Sequence, residues 1–397
     1  MTWPMVKLGS LVRKISTWNP TTSPENIEFL YIDLSSVDKD QKKINATDVN
    51  NISAAMAPSR ARQLVKENDV LVSTVRPNLN GVALVTADFD GATASTGYCV
   101  LRADKKKLDE RYLFYWVQSV HFIRDMISKA TGANYPAVSD KIIFDSKIPL
   151  PPLEEQKRIA AILDKADAIR QKRQQAIALA DQFLRSVFLD MFGDPVTNPK
   201  GWEVIKLGSC CRFQGGFAFK SEDYCDSGIP LVKITNVHFE NIDWSDVSYV
   251  PADFLDTKAE FALKDEDLVM AMTRPIIKSL NAVKVVEVKE MDLPCLLNQR
   301  VGRFIDYENS FKKHFLKYLL YSDFFMNEVE KLCSVALQPN ISSKQIEAIT
   351  CYIPPIELQD EFSQIAKQIE QTIPHMSSFN DLDLFGSLNS KAFSGQL

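Results

Sequence analysis

The chain contains itself twice. Trp3, Lys7, Leu8, Gly9 and Ser10 return as Trp202, Lys206, Leu207, Gly208 and Ser209, all shifted by 199. Lys66, Asp69, Arg76 and Pro77 return as Lys264, Asp267, Arg274 and Pro275, shifted by 198. Pro151-Pro152-Leu153-Glu154-Glu155-Gln156 returns as Pro354-Pro355-Ile356-Glu357-Leu358-Gln359, shifted by 203. The matches keep one order at nearly one offset across all 397 residues. Solenoid repeats have periods of about 20–50 residues. A repeat this long is a duplicated module, and a duplicated module suits a target that is read in two parts.

Residues 1–148 mix short apolar runs with turn signals. Val70 to Val75 reads as a strand that ends in the turn-rich stretch Arg76-Pro77-Asn78-Leu79-Asn80-Gly81, and Gly81 to Val85 reads as its return. From about Arg111 to Met126 the pattern is helical, with Leu113, Trp116, Val117 and Val120 on one face. Pro149, Pro151 and Pro152 end this module, and a long helix follows over residues 149–196. Apolar or small residues fall at Ile159, Ile162, Ala166, Ile169, Ala176, Ala180, Phe183 and Val187. With Arg173 as a polar insertion their spacing alternates three and four, a heptad seam that calls for a helical partner. Gly193-Asp194-Pro195 stops it, and about 39 residues make a rod on the order of 58 Å.

The second module spans residues 197–352. Leu268 to Met272 stands where the first module has its strand, and Ile341-Ser342-Ser343-Lys344 echoes Val138-Ser139-Asp140-Lys141. Residues 353–397 form a second helix with seam positions Phe362, Ile365 and Ile369, then Ile373. Pro374 is expected to kink or break it, with resumption from Asp381 to Phe393. The two matching rods pair with each other most simply as antiparallel helices. The expected architecture is therefore two mixed α/β globular domains in pseudo-twofold duplication, joined by two long antiparallel coiled-coil helices.

Composition narrows the class. Apolar residues make up 45% and charged ones 24%, as in a soluble globular protein, and no apolar run nears the length of a membrane span. The opening Met1-Thr2-Trp3-Pro4 has no signal-peptide character. Seven cysteines without paired spacing, none matched in the other half, read as free thiols of a cytoplasmic protein. Net charge is −5, but residues 1–148 hold 19 basic against 16 acidic side chains and residues 197–352 hold 18 against 22. Net charge governs non-specific attraction, whereas a nucleic-acid face needs only a local basic patch.

The residues of an enzyme are missing from the sequence. There is no GxxxxGK[ST] loop and no GxGxxG fingerprint. Asn19-Pro20 and Asn198-Pro199 continue as Thr21 and Lys200, so neither makes the Asn-Pro-Pro-Tyr type of motif that holds an amine beside a methyl donor. Asp265, Glu266 and Asp267 read as a solvated turn before a strand, not as metal ligands. The four histidines are scattered, and no metal site is expected.

Ile148 to Ile159, Phe188-Leu189-Asp190-Met191-Phe192-Gly193-Asp194-Pro195, Gly215-Gly216-Phe217-Ala218-Phe219-Lys220-Ser221 and Lys391-Ala392-Phe393-Ser394-Gly395 complete a resemblance that covers the whole chain. It resembles the specificity subunit of type I restriction–modification systems. The resemblance implies two target recognition domains, each reading half of a split, asymmetric sequence in double-stranded DNA. The paired helices would set the unread spacer and dock two modification (methyltransferase) subunits. Two restriction (helicase-nuclease) subunits would join for cleavage. S-adenosylmethionine, ATP and Mg would bind those partners, with no cofactor and no catalytic residue in this chain. A non-catalytic two-module scaffold that binds proteins is the alternative.

DNA reading needs side chains at base edges and cations at phosphates. The candidates are Arg76, Asn78 and Asn80 in one loop, with Arg274 and Lys278 in its counterpart. Asn134 and Tyr135 lie in a second loop, with Gln338 and Asn340 in its counterpart, and Lys220 follows the Gly-Gly-Phe stretch. Arg76 and Arg274 recur in both halves, which also fits a structural role. Phe217 and Phe219 are read as core.

Overall fold

The computed structural model describes residues 3–23, 27–132, 135–239, 241–333, 338–377 and 381–397. The chain forms two mixed α/β units. One comprises Met1–Ala176 with Met376–Leu397, and the other Ile177–His375.

In the first unit Val70–Ser73 pairs antiparallel with Val82–Leu84 and with Tyr98–Ala103, and Val12–Arg13 completes a four-stranded sheet. The expected strand and its return are both present. Alternate side chains of a strand face opposite ways. Val70 and Val72 accordingly join a core with Tyr112, Leu113 and Phe122, while Leu71 joins another with Ile32, Val85 and Val100. Burial on both faces explains why Val70-Leu71-Val72 is a continuous apolar run. A second sheet is ordered Ser16–Thr17, Ala61–Leu64, Thr93–Ser95, Glu28–Ile32, Asn50–Ser53. The other unit repeats the plan. Leu268–Ala271 divides Leu268 and Met270 from Val269 and Ala271 between two cores. It lies in a sheet ordered Arg212–Gly215, Val301–Ile305, Leu268–Ala271, Val285–Glu287.

The helical stretch expected from Arg111 to Met126 is two helices, Glu110–Trp116 and Val120–Lys129. Ser119 starts the second, its hydroxyl accepting the Phe122 N–H at 3.2 Å. The repeated acid turns also differ in part from expectation. Asp69 is 1% exposed, accepting from the Lys66 N–H at 2.8 Å and from the Arg102 guanidinium at 2.8 and 2.6 Å. Asp267 is buried likewise, with the Lys264 N–H at 3.0 Å and Arg303 at 2.7 Å. Asp265 and Glu266 are exposed, as a solvated turn requires, and only the last acid of each turn is buried in an ion pair, because an arginine on the neighbouring strand faces inward at it.

The central helix is Leu153–Phe192, 40 residues or roughly 60 Å. It ends at Gly193, whose φ of +82° is the left-handed conformation that suits glycine. Its covered stripe differs from the expected seam by about one position. Ile159 is buried, and Ile162, Ala166 and Ala176 are half-buried, but Ile169 and Phe183 are exposed. The buried positions are instead Leu163, Arg170, Leu184, Phe188 and Phe192. Reading apolar residues alone missed a stripe that includes a charge. Arg170 is buried because Asp167 pairs with it at 2.7 Å and the Phe385 ring lies 5.7 Å from its guanidinium. On the second long helix, Ile356–Ser377, Phe362 is buried and Ile365 and Ile369 pack partly buried on the same core. That helix runs past Pro374 to Ser377, so the proline does not end it. A terminal helix, Asp381–Ser394, follows.

The Pro-Pro repeat has a structural purpose. Gln156 is 1% exposed; its amide donates to Lys107 O at 3.1 Å and Pro151 O at 2.9 Å and accepts from the Asp109 N–H at 2.9 Å. Gln359 makes the same three bonds, to Ser310 O, Pro354 O and the Lys312 N–H, at 3.1, 2.8 and 2.9 Å. Each glutamine ties a long-helix start to the loop before a domain helix. Truncating either one strands one buried and two partly buried partners, so Gln156→Ala and Gln359→Ala should each lower stability by about 1–3 kcal/mol. Urea denaturation checks this, and an unchanged midpoint would show the lock to be dispensable.

All seven cysteines are free thiols. Among the described residues no helix is long and apolar enough to cross a membrane.

Candidate nucleic-acid interface

In the first unit the chain leaves strand Val70–Ser73 and turns at Arg76, where φ is +51°. Few non-glycine residues adopt this region, and it costs on the order of 1 kcal/mol or more. The turn is held by its neighbours. The Arg76 N–H donates to Pro136 O at 2.7 Å, and Lys42 Nζ donates to Asn80 O at 2.7 Å. Burial pushes the Lys42 ammonium down to about 8, with Asp40 opposing and Arg170 adding to the fall. Asn80 is itself left-handed, at φ +45°. The Arg76 side chain is exposed, and its guanidinium lies 4.7 Å from the centre of the Tyr135 ring. Tyr135 is 68% exposed.

Beside this shelf is a cleft of about 180 Å³, lined by Leu34, Lys39, Leu79 and Tyr98 together with Arg76 and Tyr135. Two cations and a flat aromatic face at one exposed cleft suit a phosphate and a base. Asn78 is exposed in the same loop, and Asn134 lies outside the described residues. Lys39, Lys42 and Leu34 come from a distant segment of chain. Nothing local in their sequence marks them as neighbours of Arg76, and only the sheet brings them there.

The other unit repeats the frame with different contents. Arg274 has φ +49°, and its N–H donates to Pro339 O at 2.8 Å. The left-handed Arg-Pro turn is thus repeated in both halves. Arg274 and Lys278 are exposed, and burial with nearby Arg274 lowers the Lys284 ammonium. Gln338 stands exposed in the place of Tyr135. Asn340 accepts from the Thr273 hydroxyl at 2.6 Å and so belongs to the frame. Lys220 is exposed, 3.3 Å from Glu222, and among the described residues no contact joins it to Arg274. Phe219 is buried and Phe217 packs on it with centroids 5.0 Å apart, which is the core role expected.

Among the described residues no cluster of three or more histidine, cysteine or acidic side chains is disposed to hold a metal. Each unit thus presents exposed cations and amides on a rigid turn.

A family model described as "Type I restriction modification DNA specificity domain" matches residues 3–179 and again residues 199–377. The chain is 31% identical over 384 residues to the specificity subunit of the type I restriction enzyme MjaVIII of Methanocaldococcus jannaschii, covering 94% of this chain and 87% of that one. It is 35% identical over 178 residues to the EcoAI specificity subunit of Escherichia coli, covering 45% of this chain and 30% of that one. Among solved structures, the S subunit of a type I restriction-modification system from M. genitalium has the same fold, with a TM-score of 0.55, 17% identity, and coverage of 98% of this chain and 96% of that one.

Proposed function

This chain belongs to the type I restriction–modification specificity subunits, and on that premise we propose that its two target recognition domains read the two halves of a bipartite, asymmetric DNA sequence. One observation carries the asymmetry. The two units share a frame, down to the glutamine lock and the left-handed Arg-Pro turn, while the side chains displayed on that frame differ. Identical readers would favour a palindrome, whereas divergent readers give unlike halves. Residues 1–148 and 197–352 are the readers. The helices of 149–196 and 353–397 set the unread spacer and dock the modification subunits. The assembly takes two modification and two restriction subunits and works in the cytoplasm. S-adenosylmethionine, ATP and Mg belong to those partners, and this chain supplies sequence choice without catalysis.

The test is to map methylated adenines in the host genome with and without the gene. A bipartite motif is expected to vanish on deletion. Exchanging residues 197–352 for a related module is expected to change one half of the motif only. Retention of every motif after deletion, or a change in both halves after the exchange, would sink this reading. The scaffold alternative predicts no change in methylation at all.

A further inference from the structure

Each unit opens a cleft, and the two clefts share one equivalent wall position, Leu34 in the first and Ile234 in the second. In the first unit Ile32 pairs with Ala94 across the parallel strands, and the Thr74 N–H donates to Gly97 O at 2.9 Å. In the second, Val232 pairs with Leu297, and the Met272 N–H donates to Arg300 O at 2.8 Å. The Asp33 N–H donates to Ser36 Oγ at 3.1 Å, and the Lys233 N–H donates to Asn236 Oδ1 at 3.0 Å. These pairings set Lys233 where the first unit has Asp33, and Arg300 where it has Gly97. The first cleft is the one beside Arg76 and Tyr135, with Leu34 in its wall. The second, about 300 Å³, is lined by Lys233, Thr235, Asp246, Asn298, Gln299 and Arg300. The second cleft therefore lies along 233–235 and 298–300 of the common frame, where the first unit has Asp33 and Gly97.

The second lining carries donors beside one carboxylate, Asp246, which lies 3.6 Å from Lys233 Nζ. The Gly216 N–H donates to Val301 O and the Gln299 N–H to Phe217 O, both at 2.8 Å, so the Gly-Gly-Phe stretch clamps the turn. Asn298 is buried; its Oδ1 accepts from the Gln299 N–H at 2.8 Å and its Nδ2 donates to the Tyr224 hydroxyl at 3.4 Å. Lys233 is tethered to Ser248 Oγ at 2.8 Å. Arg300 adopts φ +64°, a conformation that glycine takes without strain and arginine does not. Its guanidinium and the Gln299 amide are exposed and make no hydrogen bond or ion pair among the described residues. The backbone is rigid and strained while the two side chains are unspent. That combination is wasteful for stability and suited to recognition.

We infer that Arg300 and Gln299 are specificity-determining residues of the second unit, and that their ligand is a base-pair edge on which Arg300 selects guanine. A guanidinium meets O6 and N7 of guanine through two parallel hydrogen bonds, a geometry that lysine cannot copy. The inference rests on the DNA-recognition reading, and one experiment separates the two. The full chain, assembled with its modification subunits, is compared with Arg300→Gly, Arg300→Lys and Gln299→Ala by mapping methylated adenines. The module exchange assigns one half of the motif to residues 197–352. Arg300→Gly is expected to make one guanine position of that half degenerate, lowering discrimination there by about tenfold or more. The other half should stay intact, and the melting temperature should not fall, because glycine relieves the backbone. Arg300→Lys should be degenerate at the same position. Unchanged preferences in Arg300→Gly would overturn the inference while leaving the DNA-recognition reading in place. So would a uniform loss of methylation, or full preference retained by Arg300→Lys, since both mark a phosphate contact. A wild-type assembly with no bipartite motif would remove the DNA-recognition reading, and the inference with it.

Discussion

Lys317→Met is expected to destabilise the second unit by about 3–5 kcal/mol, the usual cost of leaving a buried charge without its partner. Lys317 is 8% exposed, on helix Lys313–Leu320, and its Nζ lies 2.9 Å from Glu287 and 2.5 Å from Glu370. Glu287 is 5% exposed and also pairs with Lys289, and His314 Nε2 is 3.5 Å from Glu370. Those second partners place the effect toward the lower end. Adding Glu287→Leu to Lys317→Met should recover part of the loss, because it removes one of the two carboxylates that lose Lys317, while Glu370 keeps His314. Failure of the double change to recover stability would show that packing, not charge, sets the cost.

The same cluster fixes the acid response. Burial raises the Glu370 carboxyl, but the His314 hydrogen bond and the Lys317 ammonium outweigh it and bring it down to about 2. Burial also raises Glu287, and Lys317 and Lys289 together hold it below the usual range. An acid depressed by folding stabilises above its unfolded pKa and loses that contribution as pH falls through the folded value. The loss should therefore run from about pH 4.3, the ordinary glutamate value, down to about 2. In Lys317→Met the melting temperature should fall less steeply over that window.

Gly216→Ala is the second large effect. A Cβ at Gly216 would sit 2.1 Å from Asn298 O and 2.7 Å from Leu297 O. Both are backbone atoms of a clamped segment, so neither can rotate away. The methyl must push the 297–301 segment aside at a cost of about 3 kcal/mol, the upper end of ordinary overpacking. For a domain of this size, that lowers the melting temperature by roughly 6–12 °C. The half of the DNA motif assigned to residues 197–352 should be lost along with it. Gly201→Ala is a contrast in kind: a Cβ there meets nothing within 4 Å, though its φ of +68° carries a small strain. Equal melting temperatures for wild type and Gly216→Ala would show the turn to be looser than its contacts imply.

Much of the fold was legible in the chain, for identifiable reasons. The strand Val70–Ser73 and its return were readable because apolar runs and a turn rich in Pro, Asn and Gly (Pro77, Asn78, Asn80, Gly81) are local signals. The central helix was readable at both ends because Pro152 and Gly193 are local stops. Its covered face was misread by about one position because Arg170 enters that face as half of an ion pair, and no count of apolar residues registers a neutralised charge. The burial of Asp69 and Asp267 escapes the sequence for the same reason, since Arg102 and Arg303 lie on other strands, whereas Asp265 and Glu266 are exposed as a solvated turn requires. Of the interface, the Arg-Pro turns stood out through repetition. Lys39, Leu34, Gln299 and Arg300 did not, because they repeat nothing.

The sequence by itself determined the duplication and the family, because these rest on spacing and on motifs that survive as strings. Only the tertiary structure decided what the repeated residues do. Gln156 and Gln359 bond to carbonyls about 50 positions upstream, a distance that no local pattern spans. It also decided which unlike residues stand in like places, with Arg300 against Gly97 and Gln338 against Tyr135. Equivalence of that kind is set by strand register, and register belongs to the sheet rather than to either strand.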